Sequence, residues 1–225
     1  MRLITSPSDL PSSLPKLRTV DTETNDPLLK SRGPGWCYND DGGIIGISVL
    51  CPEMGMDSGF YIPTGHLISQ NMPIENAIKW VSDVLYEPDC TMVFANAEYD
   101  LGWFRHYGIR YNGFTIEDVL IQAPLLDEHR FAWSLESLSR LNGVSQKNYD
   151  ALIEEALRVG VSEKSIMSNL RHMSAEAVGE YAVGDVIATY ENFVVQEQKM
   201  QEQDLTNIYD LERSLIPHMI EMRMK

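Results

Sequence analysis

Leu17-Arg18-Thr19-Val20-Asp21-Thr22-Glu23 is the stretch around which the chain organises. It reads as a strand that carries two acidic residues two positions apart. Side chains at i and i+2 project from one face of a strand, so both carboxylates aim at one place. Two acidic groups on one face of a central strand are costly unless something neutralises them. A divalent cation does this directly, and hard oxygen ligands select magnesium or manganese. The competing reading is a strand end fraying into a polar loop with both groups solvated. Asp-x-Glu alone does not decide between the two.

Outward from this strand the pattern is regular. A loop from Thr24 to Gly43 is rich in Pro and Gly. Ile44 to Leu50 is an apolar, β-branched run typical of a buried strand, and Ser58 to Pro63 reads as a third. These three strands pair as a meander. Glu75 to Leu85 has helical periodicity, and Thr91 to Phe94 is a short apolar strand running into Asn96. Helices are then predicted at Glu98–His106, Glu117–Asp127, Ser134–Leu141, Asp150–Val159, Ser174–Gln196 and Leu205–Met224. A meander followed by strand–helix alternation predicts an α/β fold with helices packed on a mixed sheet.

Composition sets outer limits. The chain has 225 residues, 44% hydrophobic and 23% charged, which suits one folded domain with at most a small appendage. No apolar run reaches the roughly 18–20 residues needed to span a bilayer, and Met1 to Pro7 lacks a signal peptide's apolar segment. A cytoplasmic protein with no membrane partner is therefore expected. Cys37, Cys51 and Cys90 are odd in number and widely spaced, which indicates neither a disulfide framework nor a zinc site. The net charge of −15 argues against unaided nucleic-acid binding, since phosphates are usually met by Lys and Arg. Bound cations can reverse that local field.

Two further acidic motifs lie downstream. Asn96-Ala97-Glu98-Tyr99-Asp100 opens a helix at the carboxyl end of a strand, a usual place for sites in α/β folds. It is equally a good N-cap with acidic residues suited to the helix dipole. Tyr181 and Asp185 sit at i and i+4 on a predicted helix and so share a face. A half-buried tyrosine bonded to a surface aspartate reads the same way.

Taken in order, Asp-x-Glu, Asn-x-x-x-Asp and Tyr-x-x-x-Asp resemble the three exonuclease motifs of DnaQ-like nucleases, which have the ribonuclease H-like fold. Glu180 stands where the histidine subtype would carry His, so the tyrosine subtype is matched. Val20 to Thr24, Gly33-Pro34-Gly35-Trp36, Ile45 to Val49, Phe94 to Asp100, Ala123 to Glu128, Ser134 to Leu138 and Tyr181 to Asp185 resemble the proofreading domain of family A DNA polymerases, especially phage versions.

The resemblance implies a mixed central sheet flanked by helices, made of an antiparallel three-stranded meander plus parallel strands. It implies hydrolysis of a single-stranded or frayed DNA 3′ end with two divalent ions, Mg²⁺ or Mn²⁺. Asp21, Glu23, Asp100 and Asp185 would hold the metal, and Tyr181 would orient the attacking water. Thr24 and Asn96 match positions that touch the terminal nucleotide, and Arg130 and Tyr149 match a basic and an aromatic residue used against the strand. Their bland readings are a solvated charge beside Asp127 and Glu128 and a helix-start residue packing on the core. Lys30, Arg32, Trp36 and Tyr38 in the long loop are weaker candidates for the DNA entrance.

Residues 1–204 would form the exonuclease domain. Residues 205–225 resemble the helix that leads into a polymerase domain, with Ile208, Leu211, Leu215, Met219 and Met222 as an apolar stripe that either packs on the core or is left for a partner. No polymerase motif follows, so a truncated polymerase or a stand-alone phage exonuclease is expected, with a polymerase domain or subunit as partner. Two rivals stand beside this reading. One is a ribonuclease D-like RNA 3′-exonuclease, which shares the five residues. The other is a non-catalytic structural or interaction module, although decayed members usually lose carboxylates and none is missing.

Overall fold

The structure is a computed structural model and describes residues 1–38, 42–145 and 149–225. Residues 39–41 of the expected loop after the first strand lie outside the described residues. Among the described residues six strands form one sheet: β1 (Arg2–Leu3), β2 (Leu17–Asn25), β3 (Gly43–Leu50), β4 (Phe60–Pro63), β5 (Thr91–Phe94) and β6 (Thr115–Asp118), in the order β1-β4-β3-β2-β5-β6. β2 is central. It pairs antiparallel with β3 and parallel with β5, β3 pairs antiparallel with β4, and β1 and β6 add parallel edges. The meander-plus-parallel arrangement is the one expected.

The helices are α1 (Leu29–Arg32), α2 (Ile74–Trp80), α3 (Ala97–His106), α4 (Val119–Leu126), α5 (Leu135–Asn142), α6 (Asp150–Val159), α7 (Ala175–Glu202), α8 (Thr206–Ser214) and α9 (Ile216–Arg223). The strand alternation of β2 sorts its side chains between two layers. Val20 joins the core that includes Phe104 of α3 and Ile220 of α9. Thr22 bonds to Asp100 of α3. Asp21 and Glu23 point to the other face, where α7 crosses β2, β3 and β4. α7 starts at Ser174, whose hydroxyl caps the Ala177 amide, and Glu155 of α6 accepts from the Ser174 amide at 2.8 Å.

Four elements differ from expectation. Arg2–Leu3 is too short to carry a period-2 signal. Glu117–Asp127 is not one helix. Thr115 to Asp118 pairs with β5, and the Asp118 carboxylate then caps the first turn of α4 through the Leu120 amide at 2.8 Å. The helix expected to run to Leu85 widens after Trp80 into an i→i+5 turn, with the Tyr86 amide reaching the Val81 carbonyl at 2.8 Å.

The C-terminal helix is broken at Leu215, where Pro217 in the first turn of α9 has no N–H to bond back to α8. Of the two arrangements open to its apolar stripe, packed on the core or uncovered, the structure has the second. Tyr209, Ile216 and Ile220 are buried, whereas Ile208, Leu211, Leu215, Met219 and Met222 are exposed. The buried set wins because α8 is tied to β6: the Asp118 amide donates to the Tyr209 hydroxyl at 2.7 Å, and Arg213 pairs with Glu117.

Candidate active site

The carboxyl end of β2, the N-terminus of α3 and the middle of α7 enclose a cleft of about 570 Å³. Asp21, Glu23, Asp100, Tyr181 and Asp185 all line it, as do Thr24 and Asn96. The cleft therefore brings together three motifs that are widely separated in sequence. One carboxylate oxygen from each of Asp21, Glu23 and Asp185 lies within 4.8 Å of the others. Glu23 and Asp185 are buried. Three hard anionic donors this close, two of them shielded from water, fit a divalent cation of the Mg²⁺ or Mn²⁺ kind, because mutual repulsion disfavours their joint ionisation otherwise.

Local structure explains the convergence. Glu23 pairs with Gly46 and Thr24 with Ile44, so Ile45 is an extra residue in β3 and a bulge sits beside Glu23. Gly46 leaves room for the Tyr61 ring, whose hydroxyl a Cβ there would overlap. Gly179 of α7 meets the same ring, with an added Cβ only 2.9 Å from Cδ1. Tyr61 is fully buried and bonds to His66 Nε2 at 2.9 Å, while His66 Nδ1 lies 3.0 Å from the Met173 carbonyl at the start of α7. This chain of contacts sets α7 over β3 and β4, and with it Tyr181 and Asp185.

Asp100 stands slightly apart from the three-carboxylate cluster. Its Oδ1 accepts the Thr22 hydroxyl at 2.6 Å and the Thr22 amide at 3.0 Å, so the residue between Asp21 and Glu23 orients it. Burial raises the Asp100 pKa well above the usual carboxylate range, and the nearby Asp21 charge adds to this against the two Thr22 bonds. Burial likewise raises the Tyr181 phenol, followed by the fields of Asp185, Glu23, Tyr149 and Asp21. Both effects favour the neutral phenol, which can donate a hydrogen bond.

Asn96 occupies the N-cap position of α3, yet its side chain makes no capping bond. Its backbone is left-handed, at φ 81°. The cap comes instead from Asp118, whose two oxygens take the Asn96 and Ala97 amides at 3.1 and 2.7 Å. This leaves the exposed Asn96 side chain to the cleft. Sequence reasoning missed Asp118, and only a strand assignment at 115–118 would have pointed to it. The Thr24 hydroxyl is fixed at 2.8 Å from that of Tyr99, which donates to Asp26 at 3.0 Å.

The remaining candidates separate. The Tyr149 ring lies tilted against Tyr181 with centroids 5.3 Å apart. Arg130 is outside the cleft: it lies 3.9 Å from Asp127 and lines another depression with Lys199. Trp36 lines the cleft as a buried wall, and the Arg32 guanidinium stacks on the exposed Tyr38 ring at 4.7 Å.

Residues 38–201 match the 3′-5′ exonuclease family, well over half of the chain. The chain belongs to that family. The matched span contains Asn96, Asp100, Tyr181 and Asp185 and begins beyond Asp21 and Glu23. The exonuclease is also 30% identical over 207 residues to a DNA-directed DNA polymerase of Pseudomonas phage M6. That alignment covers 92% of this chain, and so takes in Asp21 and Glu23, but only 30% of the phage protein. The chain thus spans less than a third of the length of this relative. Solved structures share its fold: Brucella melitensis NrnC with bound Mg²⁺ superposes with a TM-score of 0.60 at 15% identity, over 98% of this chain and 90% of that one. The Aedes aegypti Nibbler EXO domain superposes with a TM-score of 0.55 at 12% identity, over the whole of this chain and 95% of that one. The expected ribonuclease H-like nuclease fold is the one found.

Proposed function

We propose that this nuclease is a divalent-metal-dependent 3′→5′ exodeoxyribonuclease that releases 5′-mononucleotides, and that it serves as the proofreading part of a phage DNA polymerase. The observation that carries the chemistry is the approach of Asp21, Glu23 and Asp185 to within 4.8 Å beside the neutral phenol of Tyr181. Sequence similarity to a phage polymerase over most of the chain supports DNA as substrate and a polymerase domain as partner.

Asp21, Glu23 and Asp185 would hold two divalent ions, with Asp100 joining through solvent. Bound there, such ions lower the pKa of water and stabilise charge on a phosphate. The residues do the rest. Tyr181 donates a hydrogen bond that orients the attacking water. Thr24 and Asn96, at the rim, receive the terminal nucleotide. Water adds to phosphorus, the P–O3′ bond to the penultimate nucleotide breaks, the freed 3′ oxygen takes up a proton, and the terminal nucleotide leaves as a 5′-monophosphate. Selectivity for a mismatched end follows from the lower cost of unpairing it.

Digestion of matched single-stranded DNA and RNA oligomers, 5′-labelled and run side by side with Mg²⁺ or Mn²⁺, tests this. A ladder shortening from the 3′ end of DNA, with mononucleotide product, is expected. Preference for RNA, or internal cuts, would overturn it.

A further inference from the structure

One cation reaches the cleft from outside the three motifs. Arg223, at the end of α9, lines it together with Asp100 and Asn96, and among the described residues it is the only Lys or Arg that does. α9 packs directly on α3, the helix that carries Asp100, with Ile216 and Ile220 buried and Arg105 of α3 paired to Glu221. The helix that carries Arg223 is thereby packed against the helix that carries Asp100. The Arg223 Nε lies 3.0 Å from Glu98 Oε1, and the side chain is half exposed. The pair is in ion-pair contact but off hydrogen-bond alignment: the shielded Glu98 oxygen has no aligned donor. The half-exposed guanidinium thus makes no aligned bond in this contact, and a phosphate offers it two aligned acceptors.

We infer that Arg223 is a substrate-binding residue of this exonuclease: it leaves Glu98 and grips a backbone phosphate of the incoming single strand. The inference rests on the proposed nuclease reading and deepens it. It explains how a chain of net charge −15 draws an anionic strand toward an acidic site. It also makes the C-terminal helix part of the binding surface, so whatever adjoins α9 can influence the cleft.

The test is binding of a 5′-fluorescein-labelled oligothymidylate by anisotropy, in Ca²⁺ and over a salt series, with hydrolysis in Mg²⁺ measured alongside. Arg223→Ala should weaken binding about fivefold and reduce the slope of log Kd against log salt by about 0.7, the value for one single-strand phosphate contact. Arg223→Lys should restore the slope, which a merely structural role for the side chain would not predict. Unchanged Kd and slope in Arg223→Ala would overturn this inference alone. Wild-type binding without hydrolysis would overturn the nuclease reading and leave the Arg223 comparison decisive. A wild-type chain that binds no oligonucleotide would overturn both.

Discussion

Replacing Thr22 by Val deletes one hydroxyl from the site and leaves the side-chain outline nearly unchanged. Asp100 Oδ1 then keeps only the Thr22 amide at 3.0 Å, having lost the 2.6 Å hydroxyl donor. At 2% exposure, Asp100 is poorly placed to replace that donor with bulk water. Loss of one donor to a buried carboxylate costs roughly 1.5–3 kcal/mol. The cost depends on pH, because Asp100 can take up a proton instead. Its folded pKa is already raised by burial, and removing a donor to the anion raises it further. An acid whose folded pKa lies above its unfolded value disfavours the folded state increasingly as pH rises through the folded value. The deficit of Thr22→Val should therefore be largest on the alkaline side of the Asp100 titration, about 2 kcal/mol or roughly 4–8 °C in Tm for a chain of this size. It should shrink as pH falls through that titration. Urea and thermal unfolding in EDTA over a pH series measure it, with Thr22→Ser as the variant that keeps the hydroxyl. A loss below about 0.5 kcal/mol at every pH, or a loss that grows as pH falls, would refute the reasoning.

Further outcomes follow from other contacts. Gly46→Ala places a methyl on the Tyr61 ring, which Gly179 blocks from behind; unfolding should show a loss of roughly 2–4 kcal/mol, and a neutral variant would mean the ring has room to move. Tyr181→Phe should lower kcat roughly 10–100-fold while leaving Mn²⁺ affinity and KM near wild type, and full activity would remove Tyr181 from the chemistry. Glu155 is held at a pKa of about 2, chiefly by Arg158 and also by the Ser174 amide. A depressed carboxylate stabilises the fold fully above its unfolded pKa and loses that contribution as pH falls through the folded value. Glu155→Gln should therefore cost about 1 kcal/mol near neutrality and flatten the acid limb of stability between about pH 5 and 2. An unchanged limb would show that the pair contributes nothing.

Much of the site was legible because its signals are local. The i, i+2 spacing of Asp21 and Glu23 and the i, i+4 spacing of Tyr181 and Asp185 each fix a face before any tertiary contact forms. The meander was legible for the same reason, since Ile44 to Leu50 is too apolar and β-branched to read otherwise. What escaped depends on partners distant in sequence. β6 exists because β5 offers it an edge, and Asp118 caps α3 across more than twenty intervening residues. Arg130 had two readings in the sequence, against the strand or beside Asp127, and the structure has it beside Asp127. The apolar stripe from Ile208 to Met222 left open whether it packs on the core, and it stays exposed because Pro217 breaks the helix and Tyr209 finds a bond on β6. Arg223 gave no signal at all, since a terminal arginine acquires meaning only when α9 lies against α3.

The most direct measurement is release of 5′-mononucleotides from single-stranded DNA by the purified chain with Mg²⁺ or Mn²⁺, beside the Asp21→Ala/Glu23→Ala double variant. The account predicts stepwise release from the 3′ end that EDTA abolishes, and a fall of at least about a thousandfold in the variant. Release at an equal rate by the variant, or none by the wild-type chain under any divalent cation, would contradict it.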